Sequence, residues 1–147
     1  IFGLKKSSII IFVDDFNQPK IMYPNMTQFL PFYYDEKGFY QNDKSFMITG
    51  KNIAFLTAFL NSSLFKYCFI NNFPKLGEKG RELRKIFIDK VPVRQVDFPT
   101  NELFKERLLD IQKEYTKSKA IVIDSMIFDL YNLSKDERQL IGFVEIE

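Results

Sequence analysis

Up to about residue 96 the chain alternates short apolar runs with polar breaks, and beyond that point it changes to a helical period. Ile9 to Val13 is β-branched and aromatic, which predicts a buried strand. Asp14 to Pro19 is polar and reads as a connection. Lys20-Ile21-Met22-Tyr23 predicts a short strand closed by Pro24. Phe32-Tyr33-Tyr34 and Phe39-Tyr40 flank Asp35-Glu36-Lys37-Gly38, a loop whose glycine suits a positive φ, so this stretch predicts a hairpin. Ser45 to Thr49 predicts a further strand, ended by Gly50.

Asn52 to about Asn72 carries the strongest helical pattern. Ile53, Leu56, Leu60, Leu64 and Tyr67 follow helical spacing, and Phe55, Phe59, Phe65 and Phe69 widen the apolar surface until most sides call for burial. Asn52 is the expected N-cap. Asn61-Ser62-Ser63 interrupts the pattern, which predicts two helices, the second capped by Ser62 or Ser63. Cys68 on this surface is expected to serve packing. Phe73 to Lys85 reads as a flexible basic connection, and Ile86-Phe87-Ile88 as a strand that ends at Val91-Pro92-Val93. A helix is expected from Thr100, as its cap signal, to Tyr115, and another from Ala120 to Tyr131. A last one opens at Ser134 with Glu137 three residues on, the spacing of a capping box. The expected fold is α+β: a small mixed or antiparallel sheet with a buried central helix pair, followed by a C-terminal helical segment. The expected division is a first domain over 1–96 and a helical extension over 97–147.

Composition narrows the chemistry. Seventeen Phe and seven Tyr demand a large packed interior for 147 residues. No apolar run approaches the roughly 20 residues that span a bilayer, and Ile9–Val13 is shorter than a signal-peptide core, so no membrane partner is expected. Ile1 in place of an initiating Met reads as a cut inside a longer chain. With no His and one Cys, the common zinc sites, Ser-His-Asp triads and Cys-His pairs are excluded, and a reducing cytoplasm is expected. Gly-rich nucleotide-binding loops are missing as well. No catalytic residue, cofactor site or metal site is therefore assigned.

The net charge of +2 conceals an asymmetry. Residues 1–96 hold 14 Lys/Arg against 8 Asp/Glu, whereas 97–147 hold 7 against 11. Lys75 to Arg94 alone has seven basic residues and three acidic ones. Among these, Lys75, Lys79, Arg81, Arg84 and Lys85 are candidates for phosphate contact, because mobile cations beside glycines release counterions from a duplex. The plainer reading of such a run is a solvated loop. Gly77-Glu78-Lys79-Gly80 has the spacing of a KH-domain loop, but it leads toward an expected strand where that loop joins two helices. Asn25, Thr27, Gln28, Asn42 and Lys44 stand at strand ends and near the hairpin. Amides there can read adenine and Lys can donate to guanine, although turn and edge polar residues often bind nothing.

The order of segments resembles a known family. Phe16-Asn17-Gln18-Pro19-Lys20-Ile21-Met22-Tyr23-Pro24 comes first, followed by the Phe39-Tyr40 hairpin and by Ile53 to Phe69 around Leu60-Asn61-Ser62-Ser63-Leu64-Phe65. Arg84-Lys85-Ile86-Phe87-Ile88-Asp89-Lys90-Val91-Pro92-Val93 then completes a pattern similar to the TaqI-like C-terminal specificity domain. Ile123 to Ser134 resembles the ending of the enzymes that carry it. The resemblance implies a module that recognises double-stranded DNA for a bacterial or archaeal restriction-modification enzyme. The module would sit beside the adenine methyltransferase domain of the same parent chain. S-adenosylmethionine, and Mg²⁺ for a nuclease, are implied for that parent, not for these residues, which contain no Asn-Pro-Pro-Tyr. A protein-interaction scaffold that binds no nucleic acid is the alternative, and retention on DNA resin separates the two.

Overall fold

A computed structural model of the chain describes residues 5–7, 18–24, 26–27, 32–38, 45–69, 75–76, 80–82 and 91–144. Of these, 5–7, 26–27, 45, 69, 75–76 and 80–82 are described by their backbone alone. In chain order the elements are β1 (Lys5–Ser7), β2 (Lys20–Pro24), β3 (Met26–Thr27), β4 (Tyr33–Asp35) and β5 (Ser45–Thr49). Next come α1 (Ile53–Asn61), α2 (Ser63–Phe69), β6 (Lys75–Leu76) and β7 (Gly80–Glu82), then α3 (Phe98–Lys113), α4 (Lys117–Leu130) and α5 (Lys135–Ile141). The fold is α+β. The strands form two antiparallel sheets, one ordered β1-β5-β2-β4 and the other β3-β7-β6. The strands expected at 9–13 and 86–88, and the Phe39-Tyr40 arm of the hairpin, lie outside the described residues. Gly38 has the expected positive φ, 81°, and β4 pairs with β2.

α1 is the centre of the molecule. Every residue from Ile53 to Leu60 is buried, as its apolar circumference requires. Its one internal hydroxyl, on Thr57, donates to the Ile53 carbonyl at 2.7 Å and so leaves no unpaired polar atom of its own. The sheet lies on one side, through Ile21, Tyr23, Phe32, Tyr34 and Ile48, and α3 and α4 lie on the other, through Phe104, Leu108, Ile123 and Ile127. Rings connect these layers without a gap. Phe46 stacks on Tyr23, which packs against Phe32. Phe32 meets Phe65 edge-on, Phe65 meets Phe59, and Phe59 stacks on Tyr131 at 5.6 Å. Edge-to-face and offset pairs of this kind add about 0.5–1.5 kcal/mol each beyond the area they bury.

Helix ends correct several expectations. Asn52 does not cap α1 with its side chain. It lies in the left-handed region (φ 53°), and its amide donates to the Val96 carbonyl at 2.6 Å. The α1 N-terminus is capped instead by Asn101 of α3, whose side-chain oxygen accepts from the Phe55 N–H at 3.0 Å. Two short helices do replace one long one, and Ser62 serves both. Its N–H and hydroxyl donate to the Phe59 carbonyl, and its oxygen accepts from the Phe65 N–H. α3 begins before Thr100, at Phe98, with Asp97 as the cap and Thr100 as the donor to it. Pro99 fits the second position because no N–H is needed there. Thr116 caps α4, which therefore starts before Ala120. At α5 the Ser134–Glu137 capping box forms as expected. Val91 to Val93 is irregular where it was expected to end a strand, and Cys68 is exposed where packing was expected. The Cys68 turn of α2 borders an open groove lined by Leu64, Pro92, Val93 and Tyr131, so the helix covers the core with its other face.

The outer edge of β4 would expose unpaired backbone groups, a template for unwanted strand pairing. Two side-chain amides close it. Asn61 accepts from the Phe32 N–H at 3.1 Å and donates to the Phe32 carbonyl at 2.7 Å. Gln112 does the same for Tyr34, at 2.8 and 2.9 Å. The helices thus finish the sheet by imitating a neighbouring strand. Between β2 and β4, Lys20 and Asp35 are register partners and form a buried ion pair, each side chain almost wholly out of solvent. No helix among the described residues is long and apolar enough to cross a membrane.

Candidate nucleic-acid interface

The candidate interface is built on the second sheet. Only Asn25 separates β2 from β3, so the chain passes from one sheet into the other within a single residue. Met26 is therefore held within about 8 Å of Pro24 by the length of two peptide units. β3 then pairs with β7, which pairs with β6. The stretch from Phe73 to Lys85, expected to be a flexible connection, instead contributes two strands, β6 and β7, paired antiparallel. Strands this short carry too little alternation to be seen in sequence, and β7 gains its second ladder only by meeting β3.

Register sorts the candidates. Thr27 is opposite Arg81, and Arg81 is opposite Lys75, so three of the ten lie in one row across three strands. Cross-strand partners share a sheet face, and their chain neighbours share the other. Thr27, Arg81 and Lys75 therefore occupy one face, while Met26, Glu82, Gly80 and Leu76 occupy the opposite one. The first face carries the hydroxyl and the two cations, and the second mixes Met26 and Leu76 with Glu82. Asn25, Gln28, Asn42, Lys44, Lys79, Arg84 and Lys85 lie outside the described residues.

Charged side chains are placed at the far end of β4. There Tyr34 donates to Glu36 at 3.3 Å, and Glu36 is ion-paired with Lys105 at 2.8 Å. Burial raises the Tyr34 pKa above the usual tyrosine range, and the nearby Glu36, Glu102 and Asp35 raise it further. A cleft of about 280 Å³ beside Tyr33 and Gln112 is lined by both signs of charge, Asp35 and Glu36 with Lys37 and Lys113. Among the described residues, no group of three or more His, Cys, Asp or Glu is arranged to hold a metal ion. Sequence reasoning missed Asn61, Asn101 and Gln112, the amides that fix the body behind the interface. Nothing local marks them, because their partners lie 29 to 78 residues away.

Comparison with known proteins bears on the same region. Residues 4–93, more than half of the chain and every candidate residue, match the profile of the TaqI-like C-terminal specificity domain. No curated protein matches the chain.

Proposed function

This chain belongs to the TaqI-like C-terminal specificity domain family, and on that premise we propose that it recognises the target sequence of a restriction-modification enzyme on double-stranded DNA. Lys75, Lys79, Arg81, Arg84 and Lys85 grip phosphates, and Asn25, Thr27, Gln28, Asn42 and Lys44 supply the polar groups that meet the grooves. The parent enzyme methylates adenine from S-adenosylmethionine in a bacterial or archaeal cytoplasm, with its methyltransferase domain beside this one. Holding the duplex lets that domain take the target base out of the stack. Any Mg²⁺-dependent cleavage belongs to another part of the parent.

The observation that carries the reading is the cross-strand row Thr27–Arg81–Lys75, on a sheet tied by one residue to a closed core. A rigid support matters because base readout requires fixed geometry, whereas phosphate contact does not. The test is titration of a fluorescent duplex with the chain at several salt concentrations. Each phosphate contact contributes about −0.9 to the slope of log K against log salt. Replacing Lys75, Lys79, Arg84 and Lys85 together by Ala should flatten that slope by about three to four. No duplex binding at low salt, or a slope that survives the fourfold substitution, would overturn the assignment.

A further inference from the structure

Tyr23 is the last buried residue of β2, and we propose that it is a positioning residue for DNA recognition. Its ring, clamped between Phe46 and Phe32, holds the start of the second sheet to the core. This inference rests on the DNA-recognition reading above and deepens it. In sequence, Tyr23 is one more aromatic on a short strand. In the fold it stands just before the chain crosses from one sheet into the other through Asn25.

Three elements build the clamp. Phe46 is the register partner of Tyr23 on β5, and their rings stack at 5.6 Å. Phe32, just before β4, packs on Tyr23 at 5.4 Å. Phe32 is itself fixed, because Asn61 of α1 bonds both its N–H and its carbonyl. Its ring also meets the buried Phe65 of α2 edge-on. A strand end held from β5, α1 and α2 has little freedom to swing. The sheet beyond it has far less support, since its two ladders have two pairs each, too few to be stable alone. Its other connections to the core are longer, residues 70–74 after α2 and 83–90 before the buried Val91. Longer links absorb a displacement, whereas a swing at Tyr23 reaches β3 across a few peptide units. Base readout requires fixed geometry and phosphate contact does not. Loosening the clamp therefore removes discrimination between sequences and spares the salt dependence.

The experiment compares the wild type, Tyr23→Leu and Tyr23→Phe in the 147-residue chain by two measurements. The first is amide hydrogen exchange. A merely structural loss speeds the slowest amides, those of the core, and leaves locally opening amides unchanged. Tyr23→Leu should also speed the β3 and β7 amides by roughly 2- to 12-fold, the equivalent of one aromatic pair. Leu108→Ala, a core truncation on α3 outside the clamp, should speed the core amides alone. The second measurement selects a consensus from randomised duplexes and lets it compete with a scrambled duplex. Tyr23→Leu should lose roughly 5-fold or more of the wild-type discrimination while keeping the salt slope. Tyr23→Phe keeps both ring contacts and should match the wild type throughout. If Tyr23→Leu fails to fold, Phe46→Leu removes the stack from a half-buried position on β5 and takes its place. Unchanged β3 and β7 exchange, unchanged discrimination, or a Tyr23→Phe chain that behaves like Tyr23→Leu overturns the proposal. Salt-dependent wild-type binding with no consensus also removes it but leaves DNA binding standing. Absence of any duplex binding removes the DNA-recognition reading itself, and the exchange rates still decide whether Tyr23 anchors the sheet.

Discussion

The two sheets are held together by different means. In the first, β2 and β5 pair over five positions from Lys20↔Thr49 to Pro24↔Ser45, a fully buried helix covers one face, and amides from α1 and α3 close the β4 edge. In the second, β7 is joined to β3 by two pairs and to β6 by two more. Ladders of that length are marginal by themselves, so the second sheet depends on the body to which Asn25 connects it. The first region spends nearly all its side chains on packing. The second sets Thr27, Arg81 and Lys75 side by side in one row of its short ladders. If the second sheet is the recognition surface proposed above, the body can stay fixed while that surface varies.

Cutting into the body should have the largest effect. Lys20→Met removes the cation paired with the buried Asp35 carboxylate, which keeps the Lys37 N–H, and loss of one member of such an ion pair costs about 3–5 kcal/mol. Urea unfolding should show that loss, with DNA affinity falling only as the folded fraction falls. The double variant Lys20→Met/Asp35→Leu should recover most of the stability, since an apolar pair of similar volume replaces two buried charges. If the single variant is as stable as the wild type, the pair is not what holds β4 to β2.

The sealed edge offers a smaller break. Gln112→Leu removes both bonds to Tyr34 and leaves its N–H and carbonyl unsatisfied, at a cost of about 1–3 kcal/mol. Hydrogen exchange at the Tyr34 amide should quicken, while the consensus selected from random duplexes stays the same. A changed consensus would show that the two regions are coupled more tightly than the division allows.

The smallest effect sharpens the comparison through pH. Asp124 of α4 is buried against the start of α2, accepting from the N–H and the hydroxyl of Ser63, and the Ser63 oxygen in turn accepts from the Val144 N–H. Burial raises its pKa above the ordinary carboxylate value, although the Ser63 bonds and the charge of Lys66 oppose the rise. A raised folded pKa means that the contribution to stability is present below the unfolded value, about 3.9, and is lost as pH climbs through the higher folded value. The stability of the wild type relative to Asp124→Asn should therefore decline across the range just above pH 4, by less than the two preceding effects. Measuring both unfolding curves at several pH values checks it, and a wild-type advantage that grew with pH would reverse the assigned direction.

Much of the body was legible in the sequence. Apolar residues on all sides of Ile53–Leu60 can only belong to a buried helix, and Asn61-Ser62-Ser63 marked its break because serine competes for backbone bonds at helix ends. Lys20–Tyr23, Ser45–Thr49 and the Ser134–Glu137 box were visible because propensity, period and caps act over a few residues. The resemblance to the TaqI-like specificity family was readable for the same reason, since it is carried by ordered local segments. Three-dimensional pairing decided the rest. Gly80–Glu82 became a central strand because β3 and β6 flank it, which no window of seven residues can show. Asn101 capped α1 in place of the adjacent Asn52 because Asn52 took up a left-handed conformation and turned its amide to Val96. Local sequence determines which backbone groups an element can satisfy by itself. The groups left over, such as the free edge of β4, find their partners only when distant helices arrive, so their hydrogen bonds belong to the tertiary structure alone.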